Sequence, residues 1–421
     1  MRLTEEQRRI LEGKDGEILQ QAMIDLVKYG TAMGAEEFVP ASSAHTFFMS
    51  PESIAQYFPP RRVQLTERQV AEFCEKLCHL QAKARTTINP GPADLEKWRQ
   101  MGATEATYRS LKQAIEISRR CGILTNWTCI PHLVDNTPIL GEHCSWSESS
   151  ALIYANSIIG ARTNREGGHA SFFSGLLGLT PNYGLHLDEN RKGTHLIDVQ
   201  CAMEKRSDWG ALGYFAGEKA GDGIPVFVNL RRPTVEEAKQ LGAAINVPGG
   251  APMFHIVGVT PEAPTLEAAF GRNEPIGRYL FDASVKKRVY DRANNQSEGK
   301  VNMVFFGCPH ATLYEVKEIS RLLEGRRVAE GTKLWIMTAH PIRASAERLG
   351  YAQIIEESGA ELLADGCLLT YYVYFDSQRP DLERVATDSL KHALGVRRSF
   401  GSKVFFGDTE RCIQVAIEGG V

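Results

Sequence analysis

An α/β fold with largely parallel sheets is the architecture this sequence predicts, and three observations carry it. From Ile123 onward, short apolar strand patterns alternate with longer stretches of helical periodicity. Several polar, chemistry-bearing motifs fall where the predicted strands stop, which is where ligands sit in such folds. The chain has 421 residues, 43% hydrophobic and 24% charged, which is enough apolar surface for sizeable cores. At ~150 residues per domain, that length suggests two to three domains.

Residues 1–122 are expected to be a helical N-terminal region. Thr4 to Gln7 reads T-E-E-Q, a capping box, and GKDG at Gly13 to Gly16 interrupts the helix before the periodic stretch Ile18 to Tyr29. A second capping box at Thr66 to Gln69 opens the helix carrying Cys74 and Cys78. A polar segment, Asn89 to Pro92, leads into more helix through Arg120. Residues 123–300 are expected to form an α/β domain with the central motifs. ILTNWTC reads as a strand ending at Cys129, Ser147 to Ile159 as a helix stopped by Gly160. His195–Ala202, Pro225–Val228 and Phe254–Val259 follow as strands, with Val235–Ile245 as a helix. Residues 301–421 are expected to form a second α/β domain carrying Cys308 and Cys367. Its strands are Val301–Gly307, Leu334–Thr338 and Glu361–Thr370, and its helices include Leu313–Leu323 and Ala344–Ser358.

Composition excludes several function classes. The formal net charge is −3 and no basic stripe stands out, so neither nucleic acid nor an anionic membrane surface is an expected partner. No apolar run approaches the ~20 residues that span a bilayer. The start MRLTEEQRR lacks the apolar core of a secretory signal, so a cytoplasmic location is expected. Nine cysteines, an odd number without a CxxC pair, argue against a disulfide framework or a zinc ribbon. The glycine fingerprints of dinucleotide and P-loop sites, H-E-x-x-H and G-x-S-x-G are all absent.

The densest polar region runs from Cys129 to His186. In GEHCSWSESS, Glu142, His143, Cys144, Ser147 and Glu148 crowd one loop and the start of a helix. Free backbone N–H groups at a helix start bind anions, but the plainer reading makes Ser145 or Ser147 the N-cap, with Glu148 in the first turn. The run Asn164-Arg165-Glu166-Gly167-Gly168 sets an arginine that can fork onto a carboxylate or phosphate beside two glycines that permit close backbone approach. Its plainer reading is a surface turn with solvated charges. Cys129, Cys308 (in FFGCPH) and Cys367 (in LADGCLLT) all fall at strand-to-helix edges. A lone cysteine is more often a small buried hydrophobe. Three thiolates from three loops, however, suit an iron–sulfur cluster with one iron left open, and an open iron polarises a C–OH bond for elimination. Cys74 and Cys78 share a helix face and are expected to pack, as are Cys121, Cys201 and Cys412.

CIPHL, GEHCSWSESSALIYANSIIGARTNREGG, YGLHLDEN, APTLEAAFG, GCPHATLYEV and FFGDTERCIQVAIEGG together resemble the large catalytic component of aconitase X, from LTEEQRRILEGKDG to the end of the chain. The resemblance implies three-layer α/β/α domains like the cluster side of aconitase, lacking the swivelling domain, which a small partner subunit would supply. It implies a hydro-lyase (dehydratase) acting on a small hydroxy acid. Cis-3-hydroxy-L-proline is the leading substrate and mevalonate 5-phosphate the alternative. By motif match the metal ligands are Cys129, Cys308 and Cys367, holding a 2Fe-2S, 3Fe-4S or 4Fe-4S cluster or a single iron. Arg165, supported by Asn164, Gly167 and Gly168, is then the carboxylate holder, with Ser147 beside it. Glu142, His143, Glu166 and His186 are the proton-transfer candidates, unless the base comes from the partner, and His310 is a candidate for orienting the metal centre. A phosphorylated substrate would call on Arg231-Arg232 or Arg397-Arg398. The reading from a different class is a catalytically inactive scaffold that keeps the fold, suggested by the altered surroundings of Cys367.

Overall fold

A computed structural model describes residues 1–47, 66–295, 297–370 and 380–421. The part of the early stretch FVPASSAHTFFMSP beyond Phe47 lies outside them. Among the described residues three parallel sheets organise the fold, with one short antiparallel pair between β1 (Phe38–Pro40) and β5 (Leu179–Pro181). The first sheet has the order β3-β2-β4, with β2 at Ser43–Thr46, β3 at Arg85–Ile88 and β4 at Cys144–Trp146. It joins strands from both sides of residue 122, so the region expected to be helical also carries β1, β2 and β3. The second sheet has the order β8-β7-β6-β9, with β6 at His195–Val199, β7 at Pro225–Val228, β8 at His255–Ile256 and β9 at Gly277–Phe281. The third lies wholly within 301–421, in the order β12-β11-β10-β13-β14. Its strands are β10 (Met303–Ala311), β11 (Lys333–Thr338), β12 (Glu361–Ala364), β13 (Arg384–Thr387) and β14 (Lys403–Phe406).

The apolar runs of the third sheet follow from burial on both faces. Met303 and Phe305 of β10, with Trp335 and Met337 of β11, join the large core shared with the N-terminal two-thirds of the chain. Val304, Phe306, Leu334 and Ile336 point the other way, into a second core beneath the helices Leu313–Leu323 and Thr409–Glu418. Each such side chain contributes about 1.5–3 kcal/mol on burial. Between the second and third sheets the helices Arg206–Ala220 and Val235–Ile245 pack closely. A Cβ at Gly217 would sit 1.9 Å from the Ile245 carbonyl oxygen, so only glycine fits that crossing.

The capping boxes at Thr4 and Thr66 form as their spacing predicts. Several elements differ. ILTNWTC makes only an isolated bridge, Leu124 to Thr87, and runs past the end of β3 without becoming a strand. The N-cap of the helix Ser149–Tyr154 is Glu148, whose carboxylate accepts from the Ser150 N–H, rather than Ser145 or Ser147. A π-helical turn, Ala155–Ile159, follows it. Strand β10 continues through Cys308 with an irregular register between Phe306 and Ala311, and the next helix starts at Leu313. Strand β12 stops at Ala364, three residues before Cys367.

Candidate active site

The carboxyl edges of the first and third sheets face one another across a cavity of about 350 Å³. Its wall takes Phe47 from beyond β2, Asn89 and Pro90 from beyond β3, and Glu148 from beyond β4. The third sheet supplies Phe305, Gly307, Cys308, Pro309 and His310 from β10, Cys367 to Thr370 after β12, and Lys391 and His392 after β13. Cys129 completes the wall. Three cysteines more than fifty residues apart in sequence thus line one cavity, and all three are free thiols of intermediate exposure. Burial pushes the Cys308 thiol up to about 12, with Cys367 and Glu148 adding to the effect and Lys391 opposing it. Cys129 is raised well above its ordinary value by burial and by Glu148. Among the described residues no three His, Cys, Asp or Glu side chains converge closely enough to hold a single metal ion.

His310 ties the three cysteine segments together. Its backbone N–H donates to the Cys129 Sγ at 3.2 Å. Its Nε2 lies 2.8 Å from the Gly366 carbonyl oxygen, which can only accept, so Nε2 carries the proton. Nδ1 is then the acceptor for the Thr128 hydroxyl at 3.1 Å. One imidazole therefore connects the neighbour of Cys129, the strand bearing Cys308 and the neighbour of Cys367. The Cys367 loop is also held from the first sheet's side. Cys367 N–H donates to Gly91 O at 3.0 Å, and Gly91 N–H donates to Asp365 O at 2.8 Å.

Lys391 stands in the first turn of the helix Leu390–Phe400, where a cation opposes the helix dipole. It is retained there by its partners: Nζ donates to Ser150 Oγ at 2.7 Å, and to Ser149 Oγ and Glu148 Oε1 at 3.2 Å. Burial disfavours the ammonium charge, but Glu148 and the neighbouring thiols hold it above the ordinary lysine value. Burial likewise works against the Glu148 carboxylate, and Lys391 with the Ser150 N–H outweighs it, so Glu148 titrates low. Beside them His392 stacks on Phe305 at 4.2 Å, fully buried, and neither ring nitrogen has a hydrogen-bond partner.

The other residues singled out in the sequence stand elsewhere. Glu142 and His143 precede β4 while Ser147 and Glu148 follow it, and at ~3.3 Å per residue that puts His143 about 13 Å from Ser147. Glu142 closes a turn by accepting from the Ile139 N–H. His143 Nδ1 meets His186 Nδ1 at 2.9 Å, beside Arg162 and Asp188. Burial first, then His143 and two arginines, drive His186 down to about 3, so its ring is neutral. Ser147 donates from N and Oγ to the His45 carbonyl, locking β4 to β2. Asn164 pins the Tyr183–Leu185 turn from both ends of its amide. Glu166 is buried against the Tyr183 and Tyr29 hydroxyls, and burial raises its carboxyl. Arg165 bridges to Trp146 at the end of β4 that faces the cavity, within reach of the Glu148 charge, and donates to Gly250 O. Gly167 is the N-cap of the helix Gly168–Leu177. Arg231 pairs with Glu237, and Arg397 donates to the Arg292 carbonyl.

Gly168 faces the cavity wall. A Cβ there would fall 1.4 Å from Phe47 Cδ1, while the Gly168 carbonyl accepts from Thr46 Oγ1 at 2.8 Å. Gly168→Ala is expected to push the Phe47 ring into the cavity at a cost of about 1–3 kcal/mol. A raised KM with a lowered unfolding midpoint checks this, and an unchanged KM contradicts it.

Family models described as Aconitase X first, second and third domain match residues 1–189, 193–291 and 301–418. The phosphomevalonate dehydratase large subunit of Methanocaldococcus jannaschii is 35% identical, over 98% of this chain and all of that protein. The cis-3-hydroxy-L-proline dehydratase of Pseudomonas aeruginosa is 29% identical, over 97% of this chain and 69% of that protein. The crystal structure of Thermococcus kodakaraensis aconitase X (holo-form) superposes with a TM-score of 0.83 at 34% identity, over 99% of this chain and 100% of that one. The chain therefore belongs to the aconitase X family.

Proposed function

We propose that this chain is the large subunit of a two-chain dehydratase that removes water from a β-hydroxy carboxylate, with an iron centre held by Cys129, Cys308 and Cys367. One observation carries the reading: three free thiols from three remote segments line a single cavity together with an ionised Glu148–Lys391 pair. The donor set fits iron. Thiols raised by burial would become thiolates once a cation is present, and Cys129, Cys308 and Cys367, which line one cavity, are the residues that would hold it. Such a centre, when bound, supplies a Lewis acid for a departing hydroxyl.

The chain's own residues do the rest. Lys391 and, at the cavity's rim, Arg165 draw the substrate carboxylate in and stabilise the charge that builds up as the α-proton leaves. Glu148, ionised at neutral pH, accepts the α-proton, and the electron pair of that C–H bond forms the double bond as the β C–O bond breaks. The apolar wall of Phe47, Pro90, Phe305, Leu368 and Leu369 excludes bulk water. His392 offers an unpartnered ring nitrogen to a polar group of the substrate. The small subunit, with the swivelling-domain role, closes the cavity from its open side.

Two substrates share this chemistry. Mevalonate 5-phosphate is favoured by the match in length and identity to the large subunits. Cis-3-hydroxy-L-proline is favoured by the described lining, in which one cation and one anion complement a zwitterion; its enamine product would tautomerise to a cyclic imine. Anaerobic co-expression with the small subunit, followed by assays for alkene and imine, separates them. If iron is present and neither substrate is dehydrated, both assignments fail. An iron-free chain with no dehydration in the complex supports the scaffold reading instead. Lys391→Met is expected to raise KM ~100-fold through loss of a charge-assisted contact worth about 1.5–3 kcal/mol. A KM within twofold of the parent removes Lys391 from the substrate's path.

A further inference from the structure

We infer that Lys239 is a positioning residue that fixes the cysteine-bearing edge of β10 from outside the cavity; this rests on the proposed function. Lys239 lies in the helix Val235–Ile245, its side chain 2% exposed, and lines no part of the site. Its Nζ donates to the His310 carbonyl oxygen at 2.8 Å and to the Pro309 carbonyl at 3.3 Å, and it pairs with the Glu315 carboxylate. The ammonium thus grips the carbonyls of the two residues that directly follow Cys308. His310 is also the residue whose N–H reaches the Cys129 sulfur and whose ring reaches Thr128 and Gly366.

The anchor itself is well braced. Glu315 is the third residue of the helix Leu313–Leu323 and closes a capping box with Thr312. Its charge is shared with Arg206 at 3.7 Å from the helix Arg206–Ala220, and Thr312 Oγ1 donates to Glu236 at 2.9 Å. Two helices of the central region therefore clamp the start of a helix in the C-terminal one. A buried cation is costly unless fully partnered. Here its three acceptors are one carboxylate and two carbonyls. The carbonyl bonds are what a purely charge-balancing role would not require.

Two full-length variants separate these roles. Lys239→Met removes the ammonium, and Lys239→Met with Glu315→Gln also restores charge balance while a glutamine keeps the capping box. The first readout is the alkylation rate of every cysteine in the iron-free chain. Both variants are expected to raise the rates at Cys129 and Cys308 at least ~10-fold through local opening, with fully buried Cys121 and Cys412 unchanged. The second readout is iron per chain after anaerobic reconstitution with the small subunit, expected to fall several-fold in both variants. If the double variant matches the parent in alkylation, Lys239 merely neutralises Glu315 and the inference is overturned. Opening of Cys121 and Cys412 along with the cavity cysteines overturns it too, since the role is then global stability. A parent chain that takes up no iron sinks the proposed function while alkylation still decides the part played by Lys239.

Discussion

Cys308→Ala is expected to leave a folded chain that retains no stoichiometric iron and dehydrates neither candidate substrate above background. The backbone at this point is secured without the sulfur: Ser389 Oγ donates to the Cys308 carbonyl, and Lys239 holds the next two carbonyls. The thiol is only partly buried, so its loss should cost less than about 1 kcal/mol of stability. Function should fare very differently. A Lewis acid is worth several kcal/mol of transition-state stabilisation, and at 1.36 kcal/mol per decade that corresponds to a loss of ~10³-fold or more. Cys129→Ala and Cys367→Ala should behave alike, whereas Cys201→Ala, at a cysteine outside the cavity, should change nothing. Iron analysis of the anaerobically purified complex, beside its turnover, checks the set. A Cys308→Ala complex with full iron and parental turnover would show that the cavity's sulfurs are structural, and the proposed chemistry would fall with them.

The three cysteines stand out in the sequence because Cys308 follows a predicted strand, Cys129 ends one and Cys367 lies towards the end of another, and the carboxyl edges of parallel strands are where such sheets open. The cavity between two such edges is the same rule applied twice. Other features were hidden for physical reasons. In GEHCSWSESS the polar residues before and after β4 look equivalent, yet a three-residue strand separates them, and of this segment only Glu148 lines the cavity. Lys391 sits in TDSLKHALG, a segment that reads as an ordinary capped helix. Its one local signal is a cation in a first turn, which the helix dipole disfavours and a partner must compensate. Segment ILTNWTC has a strand's composition, but its polar atoms are satisfied by single bonds to β3, such as Thr128 N–H to the Ile88 carbonyl. The capping boxes at Thr4, Thr66, Thr234 and Thr312 involve only neighbours three residues apart, so local sequence determines them.

Acid is expected to unfold this chain steeply, beginning below pH 6.5. Among the described residues five buried imidazoles are driven far down: His45 and His310 to about 4, and His132, His186 and His392 to about 3, each chiefly by burial. Their surroundings explain why no charge is tolerated. His45 is held between Thr87 and Asn89, His132 stacks on Tyr154 and His392 on Phe305, and the last two have no hydrogen-bond partner at either ring nitrogen. In the unfolded chain all five take up protons near pH 6.5. Below that value the unfolded state binds more protons, so stability falls as pH falls, and the effect ends only near the folded values of 3 to 4. Asp388 and Asp365 oppose them, because burial raises their carboxyls to about 6 and about 8 and they protonate first in the folded state. Five groups against two leave about three protons taken up on unfolding near pH 5. At about 1.36 kcal/mol per proton per pH unit, the slope is about 4 kcal/mol per pH unit. A total stability of about 5–15 kcal/mol would then be exhausted within about one to four pH units. Urea unfolding at pH 7, 6 and 5 measures the slope. His132→Phe, which replaces a stacked neutral ring by an apolar one, should lower it by about a quarter to a third. A stability that is flat from pH 7 to pH 5 would mean that these imidazoles are already charged in the folded chain, which their burial does not permit.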